Sequence, residues 1–82
     1  MENELLSLTK KGLYAMEELT AESKDAFMVV LLSGELIIDI ENKKRMILKE
    51  TNSHIYIPPK TIYKFRNNQM IRVDWFEIHR ED

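Results

Sequence analysis

Side chains able to do acid–base, nucleophilic or metal chemistry are few in this chain and thinly spread. There are two histidines, His54 and His79, and no cysteine, which excludes thiolate nucleophiles, disulfides and cysteine-ligated zinc. Carboxylates are plentiful but do not pair: Glu17 and Glu18 are adjacent and point to opposite faces of an extended chain. Two glycines cannot make a glycine-rich phosphate loop, and no nucleophile stands at a recognisable spacing from a base. Tyr63 with Glu35 or Asp74 is the metal-free acid–base combination that can be written down, and nothing in their spacing supports it. His54 alternates with Ser53 and Ile55 as an exposed strand residue, and His79 is expected to be terminal and solvated.

The cations offer a different chemistry. Residues 42–72 carry eight Lys or Arg against Glu50 alone, whereas residues 1–41 carry three Lys against nine acids. Lys60, Lys64, Arg66 and Arg72 could surround an anionic ligand such as a nucleotide or phosphosugar, each contact being charge-assisted. The same residues could equally form a solvated face that keeps edge strands apart, or meet the acidic N-terminal half across a dimer. With 12 Lys and Arg against 14 Asp and Glu, the net charge of −2 opposes a general role in nucleic-acid binding.

These groups must be held by strands. The chain of 82 residues is 44% hydrophobic and 32% charged, with two Gly and two Pro, which describes one domain with little linker. From residue 26 to 78, AFMVVLLSG, ELIIDIE, RMILKE, HIYIP, IYKFRN and MIRVDWFEI are short, rich in β-branched and aromatic residues, and separated by turn formers. Ser33-Gly34, Asn42, Asn67-Asn68 and Pro58-Pro59 break the chain between them. Antiparallel sheet follows. In ELIIDIE, Leu36, Ile38 and Ile40 face a core while Ile37 and Asp39 face away.

Register between the last two strands favours an odd loop, setting Tyr63 and Phe65 on one face with Ile71, Val73 and Trp75, and Lys64 and Arg66 beside Arg72 and Asp74 on the other. Phe76 and Ile78 then fall on the polar face, so the strand end Trp75 to Ile78 is apolar on both sides and needs a cover, from the N-terminal segment or a second subunit. Residues 1–25 are open between strand and short helix, since LYAMEELTAESK holds good helix formers while Gly12, Tyr14 and Thr20 suit a strand. A winged-helix reading of SLTKKGLYAMEEL lacks the second helix that would enter a DNA groove.

The longest apolar run, Ala26 to Leu32, is far too short to span a bilayer. The acidic N-terminus lacks the basic and apolar regions of a secretory signal, so a cytoplasmic location is expected. A chain this short is marginal without a metal, a disulfide or a partner, so a homodimer is expected as well.

Across GELIIDIENKKRMILKETNSHIYIPPKTIYKFRN the chain resembles the cupin superfamily. Its second motif reads Gly, five residues, Pro, one residue, Gly, two residues, His, three residues, Asn. Here Asn52 stands at the first Gly, Pro58 at the Pro, Lys60 at the second Gly, Tyr63 at the His and Asn67 at the Asn. The first motif ends in a Gly preceded by six residues and a Glu; Gly34 keeps the Gly, and Phe27 occupies the Glu position. The His-any-His upstream falls around Thr20 to Ser23, where the chain reads TAES.

The resemblance implies an all-β fold, a small antiparallel jelly-roll barrel with residues 26–78 as its core and residues 1–25 as an N-terminal strand or helix segment. It also implies that the usual metal-binding set of three His and a Glu is missing. No metal or cofactor is expected. In the family's register Phe27, Val29, Leu31, Tyr63, Phe65 and Trp75 line the interior, either as packed core or as the wall of a ligand site. Tyr63, replacing an inward His, is the strongest candidate for ligand contact, and its buried hydroxyl needs a partner, supplied by a ligand, a water or Asn67.

The reading that follows is a non-enzymatic, metal-free module binding a small polar or anionic ligand, as a sensor or sequestering protein, through Phe27, Tyr63, Phe65, Trp75, Lys64, Arg66 and Arg72. With 82 residues and no attached output domain, signalling would need a protein partner. The alternative is a dimeric interaction module or inhibitor that binds a macromolecule through Trp75 to Ile78. A metal-free isomerase-like enzyme ranks third.

Overall fold

A computed structural model describes residues 5–81. Eight strands follow one another: β1 Leu5–Leu13, β2 Glu18–Glu22, β3 Phe27–Ser33, β4 Leu36–Ile40, β5 Met46–Leu48, β6 His54–Ile57, β7 Ile62–Arg66 and β8 Val73–Glu81. They form two four-stranded sheets, ordered β1-β8-β3-β6 and β2-β7-β4-β5, in which neighbouring strands pair antiparallel.

The turn residues act where the chain crosses between the sheets. Gly34, at φ 88°, turns β3 into β4 and opposite sheets. Asn52 and Lys60, which replace the two motif glycines, both take left-handed φ, 72° and 52°, so the glycine conformation persists without glycine. Met16, at φ 63°, closes the β1–β2 turn together with hydrogen bonds between Tyr14 and Glu17, the Tyr14 amide donating to Glu17 Oε1 over 2.6 Å.

That turn corrects the N-terminal expectation. No helix forms in the described part of residues 1–25, and the chain is not one strand from Leu13 to Thr20. It bends at Ala15 and Met16 because β1 and β2 belong to different sheets, one pairing along β8 and the other along β7. Helix propensity in LYAMEELT is outweighed by two sheet edges offering unpaired backbone.

The last two strands do not make a hairpin either. β7 lies in the second sheet and β8 in the first, so the loop over Asn67 to Arg72 spans the sandwich. The face assignment survives because both strands turn the same residues inward: Tyr63, Phe65, Val73 and Trp75 are all buried. Ile71, expected among them, is 67% exposed because it belongs to the loop. Lys64 and Arg66 consequently sit on the outside of one sheet and Arg72 and Asp74 on the outside of the other.

Between the sheets the core comprises Phe27, Val29 and Leu31 from β3, Leu36, Ile38 and Ile40 from β4, and Ile55, Ile57, Phe65, Val73 and Trp75. Trp75 and Phe65 are its largest fully buried side chains and meet edge to face, ring centroids 5.3 Å apart. Ile37 points away from this core as expected yet is also buried. Asn67, 1% exposed, closes one end: its side-chain amide donates to the carbonyls of Tyr14 and Ile71, with Leu13 O also in range at 3.3 Å, and its Oδ1 accepts from the Gln69 amide.

A Cβ on Gly34 would lie 2.9 Å from both the Arg72 carbonyl oxygen and Val73 Cα at a positive φ. Gly34→Ala should therefore cost about 1–3 kcal/mol in denaturant unfolding. Lys60→Gly, which relieves a left-handed lysine, should instead stabilise by about 0.5–1 kcal/mol.

Candidate functional site at the barrel mouth

An aromatic row runs up the interior toward the end opposite Asn67. Trp75 meets Phe65, Phe65 meets Tyr63 with centroids 4.9 Å apart, Tyr63 meets Phe27 edge to face at 5.4 Å, and Phe27 stacks on His79 at 4.6 Å. The row follows from strand alternation, since Phe27 is on β3, Tyr63 and Phe65 are on β7, and Trp75 and His79 are on β8. Its lower half is packed core. Its upper half borders a cavity of about 200 Å³ at the barrel mouth, lined by Lys11, Ser23, Phe27, Tyr63, Glu77 and His79 among others.

At the centre is a buried carboxylate. Glu77 is 3% exposed, and Trp75 Nε1–H donates to its Oε2 over 3.0 Å. Lys11 Nζ lies 3.3 Å and His79 Nε2 3.0 Å from its Oε1. A buried carboxylate is costly unless paired and hydrogen-bonded, and these three partners meet both conditions. Neither Glu77 nor Lys11 stands out by residue type or spacing in the sequence; the signal available was a carboxylate on the inward parity of β8, two residues past Trp75. His79, expected to be solvated, is instead half-buried by Phe27 and bound to Glu77, because β8 runs on to Glu81 against β1.

Tyr63 carries the hydroxyl that this arrangement leaves over. It makes no hydrogen bond among the described residues, and Asn67, expected as a partner, is engaged with backbone at the other end of the barrel. Burial pushes the Tyr63 phenol above its ordinary value, with the Glu77 charge adding to the effect. Ser23 is buried and committed, its hydroxyl donating to Pro58 O and accepting from the Thr61 amide.

The residues at the family's metal positions do not fit a metal. Phe27 and Tyr63 stand there in ring contact, and no group of three or more His, Cys, Asp or Glu comes together among the described residues. Phe65 and Trp75 are wholly buried in the core, below the cavity.

Lys64, Arg66 and Arg72 do not reach the cavity. Lys64 Nζ and Arg66 Nε lie 3.3 and 3.1 Å from the Glu18 carboxylate across the β2–β7 pair, and Arg72 Nε donates to Asp74 over 2.7 Å while its guanidinium lies over the Tyr14 ring. The separation of charge along the sequence is thus closed within sheet pairs. Hydrogen bonding and charge from Lys64, then Arg66, hold the Glu18 carboxyl below its ordinary value, and Arg45 does the same for Asp39. Both carboxylates are ionised above their unfolded pKa, so what they add to stability is present there and fades as pH falls through the folded values.

In comparisons with known proteins, no family model and no curated protein matches the chain. Solved structures do. An RmlC-like cupin from Methanocaldococcus jannaschii with a double-stranded β-helix fold superposes at a TM-score of 0.81 and 16% identity, covering 98% of this chain and 73% of that one. This chain has the cupin fold. The cupin domain of Schizosaccharomyces pombe Cnp3 superposes at 0.79 with 18% identity over 98% of this chain and 59% of that one. Drosophila melanogaster CENP-C, in a structure bound to CAL1, gives 0.73 and 14% over 90% and 63%. At these identities the likeness concerns the fold.

The environment of Tyr63 has a spectroscopic consequence. Alkaline titration of phenolate absorbance should contain a step above the ordinary phenol value near 10 that disappears in Tyr63→Phe and moves to lower pH in Glu77→Gln. Because the folded value is raised, stability should fall once pH exceeds the unfolded value.

Proposed function

We propose that this chain is a non-enzymatic, metal-free, cytoplasmic cupin-like module that holds a small polar or anionic ligand at the barrel mouth. The observation that carries this reading is the Tyr63 hydroxyl, which borders a polar cavity without a hydrogen-bond partner among the described residues while Ser23, Lys11, Glu77 and His79 beside it are paired. Lys11 balances the Glu77 charge and His79 lies within hydrogen-bonding distance of it, so the carboxylate does not by itself repel an anion, and Phe27 and the His79 ring give the cavity an apolar side. About 200 Å³ admits a group the size of a phosphate or a small sugar, not a nucleotide. The ligand-contacting set is accordingly Phe27, Tyr63, Lys11 and His79, while Phe65 and Trp75 lie beneath it as packed core. Sequestration or sensing would both use this geometry.

The test is amide chemical-shift titration with inorganic phosphate and with ribose 5-phosphate. Shifts should cluster at residues 23–27, 63 and 77–79, and Tyr63→Phe or Lys11→Ala should weaken binding about tenfold or more, the loss expected for a charge-assisted contact. Lys64→Ala, on the outer face, should change nothing. Shifts that follow Lys64 and Arg66 instead would return the site to the basic strand.

A second reading, a protein-interaction module, is favoured by one specific observation: the outer face of the β1-β8-β3-β6 sheet carries an apolar row of Leu8, Ile78, Met28 and Tyr56, bordered by Lys10, His54, Asp74 and Arg80. The strand end expected to carry it resolves into two faces, Trp75 and Glu77 inward, Phe76 and Ile78 outward. CENP-C shares the fold and was captured with CAL1, which gives this reading a precedent. Phe76→Ser should abolish a protein complex while the fold persists.

A further inference from the structure

Two connections stand side by side at the end of the barrel opposite the mouth: the β1–β2 turn over Tyr14 to Glu17 and the β7–β8 loop over Asn67 to Arg72. Asn67 staples them together. Its backbone N–H donates to Glu17 O over 2.9 Å, and its side-chain amide donates to Tyr14 O over 3.0 Å and to Ile71 O over 2.7 Å. The Arg72 guanidinium, 4.7 Å from the centre of the Tyr14 ring, adds a side-chain tie. The two loops are thus held as one surface, and what they present is apolar. Met70 is 83% exposed, Ile71 67%, Tyr14 66% and Met16 62%.

The fold does not ask for these side chains. Asn67 binds main-chain groups that any residue in either loop would supply. Met16 stands at φ 63°, a conformation that favours glycine or asparagine, so a long apolar side chain is kept in solvent against the preference of its own backbone. Strain and exposure at one position point to a use outside the fold. Together the four side chains make a patch in the range of roughly 300–600 Å², the size of the largest apolar patch on a typical monomer and one that is often functional.

The charges at this end select what would cover it. Glu18 is paired with Lys64 and Arg66, and Asp74 with Arg72. Glu17, Glu35 and Glu50 form no ion pair among the described residues. Glu17 belongs to the first loop. Glu35 follows Gly34, where a Cβ would lie 2.9 Å from the Arg72 carbonyl oxygen. Glu50 opens the turn that hydrogen-bonds to the carbonyls of Leu31 and Leu32 at the same end of β3. Lys49 beside it is the one cation of these turns outside an ion pair among the described residues, so the surplus charge around the apolar patch is negative.

From these observations we infer that this end of the barrel is a docking surface for a basic amphipathic segment of another protein, its apolar side chains set against Tyr14, Met16, Met70 and Ile71 and its Lys or Arg side chains facing Glu17 and Glu35. The unbranched, polarisable methionines suit an apolar partner surface of irregular shape. A second copy of this chain would bring the same surplus negative charge against itself, and an anionic membrane is repelled for the same reason. The surface lies at the opposite end from the mouth, so the inference does not depend on what the mouth binds.

The probe is a fluorescent peptide of about 18 residues with Leu and Lys at amphipathic helical spacing, titrated with the full chain by fluorescence anisotropy beside a peptide of the same pattern made of Leu and Glu. The Leu-Lys peptide should bind, and amide chemical shifts of the protein should move at residues 14–17, 35 and 68–71. Met70→Ser should weaken binding about tenfold, as expected of an interface anchor, and Glu35→Lys should weaken it as well. Met16→Gly separates use from fold: it should leave the denaturation midpoint unchanged or higher, because glycine accepts the left-handed conformation, and still weaken binding. No binding at about 100 micromolar protein, equal affinity for the Leu-Glu peptide or indifference to Met70→Ser overturns the inference. Binding that is lost in Phe76→Ser, with shifts along the outer face of β8, overturns it in favour of the sheet face. Adsorption to vesicles of equal parts phosphatidylcholine and phosphatidylserine that is lost in Met70→Ser overturns it in favour of a lipid surface.

Discussion

Everything else in this molecule depends on how the space between its two sheets is filled. Sheets packed face to face stand about 10 Å apart, and Trp75 with Phe65 occupies that gap so fully that neither side chain is exposed. Above them the aromatic row continues through Tyr63 and Phe27, and the interior opens only where the rings end. The open part of the interior is therefore shallow and at the rim, and its polar groups are those that β1, β7, β8 and the segment between β2 and β3 bring there.

Glu77 illustrates what that position demands. One residue pair lower in the barrel its carboxylate would meet hydrocarbon; where it stands it has an indole N–H, an ammonium and an imidazole within hydrogen-bonding range. The cluster ties β1 to β8 at the height where the interior changes from apolar to polar. It also sets the electrostatics that Tyr63 experiences, since the same negative charge and burial that Glu77 shares with the phenol oppose its ionisation. Charge on the far side of the molecule has a different role, because the exposed pairs of Glu18 with Lys64 and Arg66 are solvated and set register more than stability.

The backbone keeps features that the side chains have lost. Asn52 and Lys60 adopt left-handed φ where the related motif has glycine, and Asn67, at the motif's Asn, anchors the β1–β2 turn to the β7–β8 loop. Phe27 and Tyr63, which stand where the resembled motifs have a Glu and a His, pack ring against ring. The left-handed turns and the Asn67 anchor thus accompany the fold, while two of the positions that the resembled motifs give to metal ligands hold aromatic rings in contact here.

From residue 26 onward the strands and the alternation of their faces could be read directly from the chain, because strand alternation and turn chemistry are local properties. Parity put Tyr63, Phe65 and Trp75 on one face, and the resemblance to the cupin register implied that this face, with Phe27, turns inward. Local properties do not say which strands become neighbours. Only the tertiary structure decided that β7 and β8 lie in opposite sheets, which divides Lys64 and Arg66 from Arg72 and dissolves the basic cluster. The pairing of β1 along β8 likewise overrode helix propensity and brought Lys11 and His79 to Glu77 from distant parts of the sequence. Contacts between residues far apart in the chain depend on how the sheets close, and no periodicity in the sequence encodes that closure.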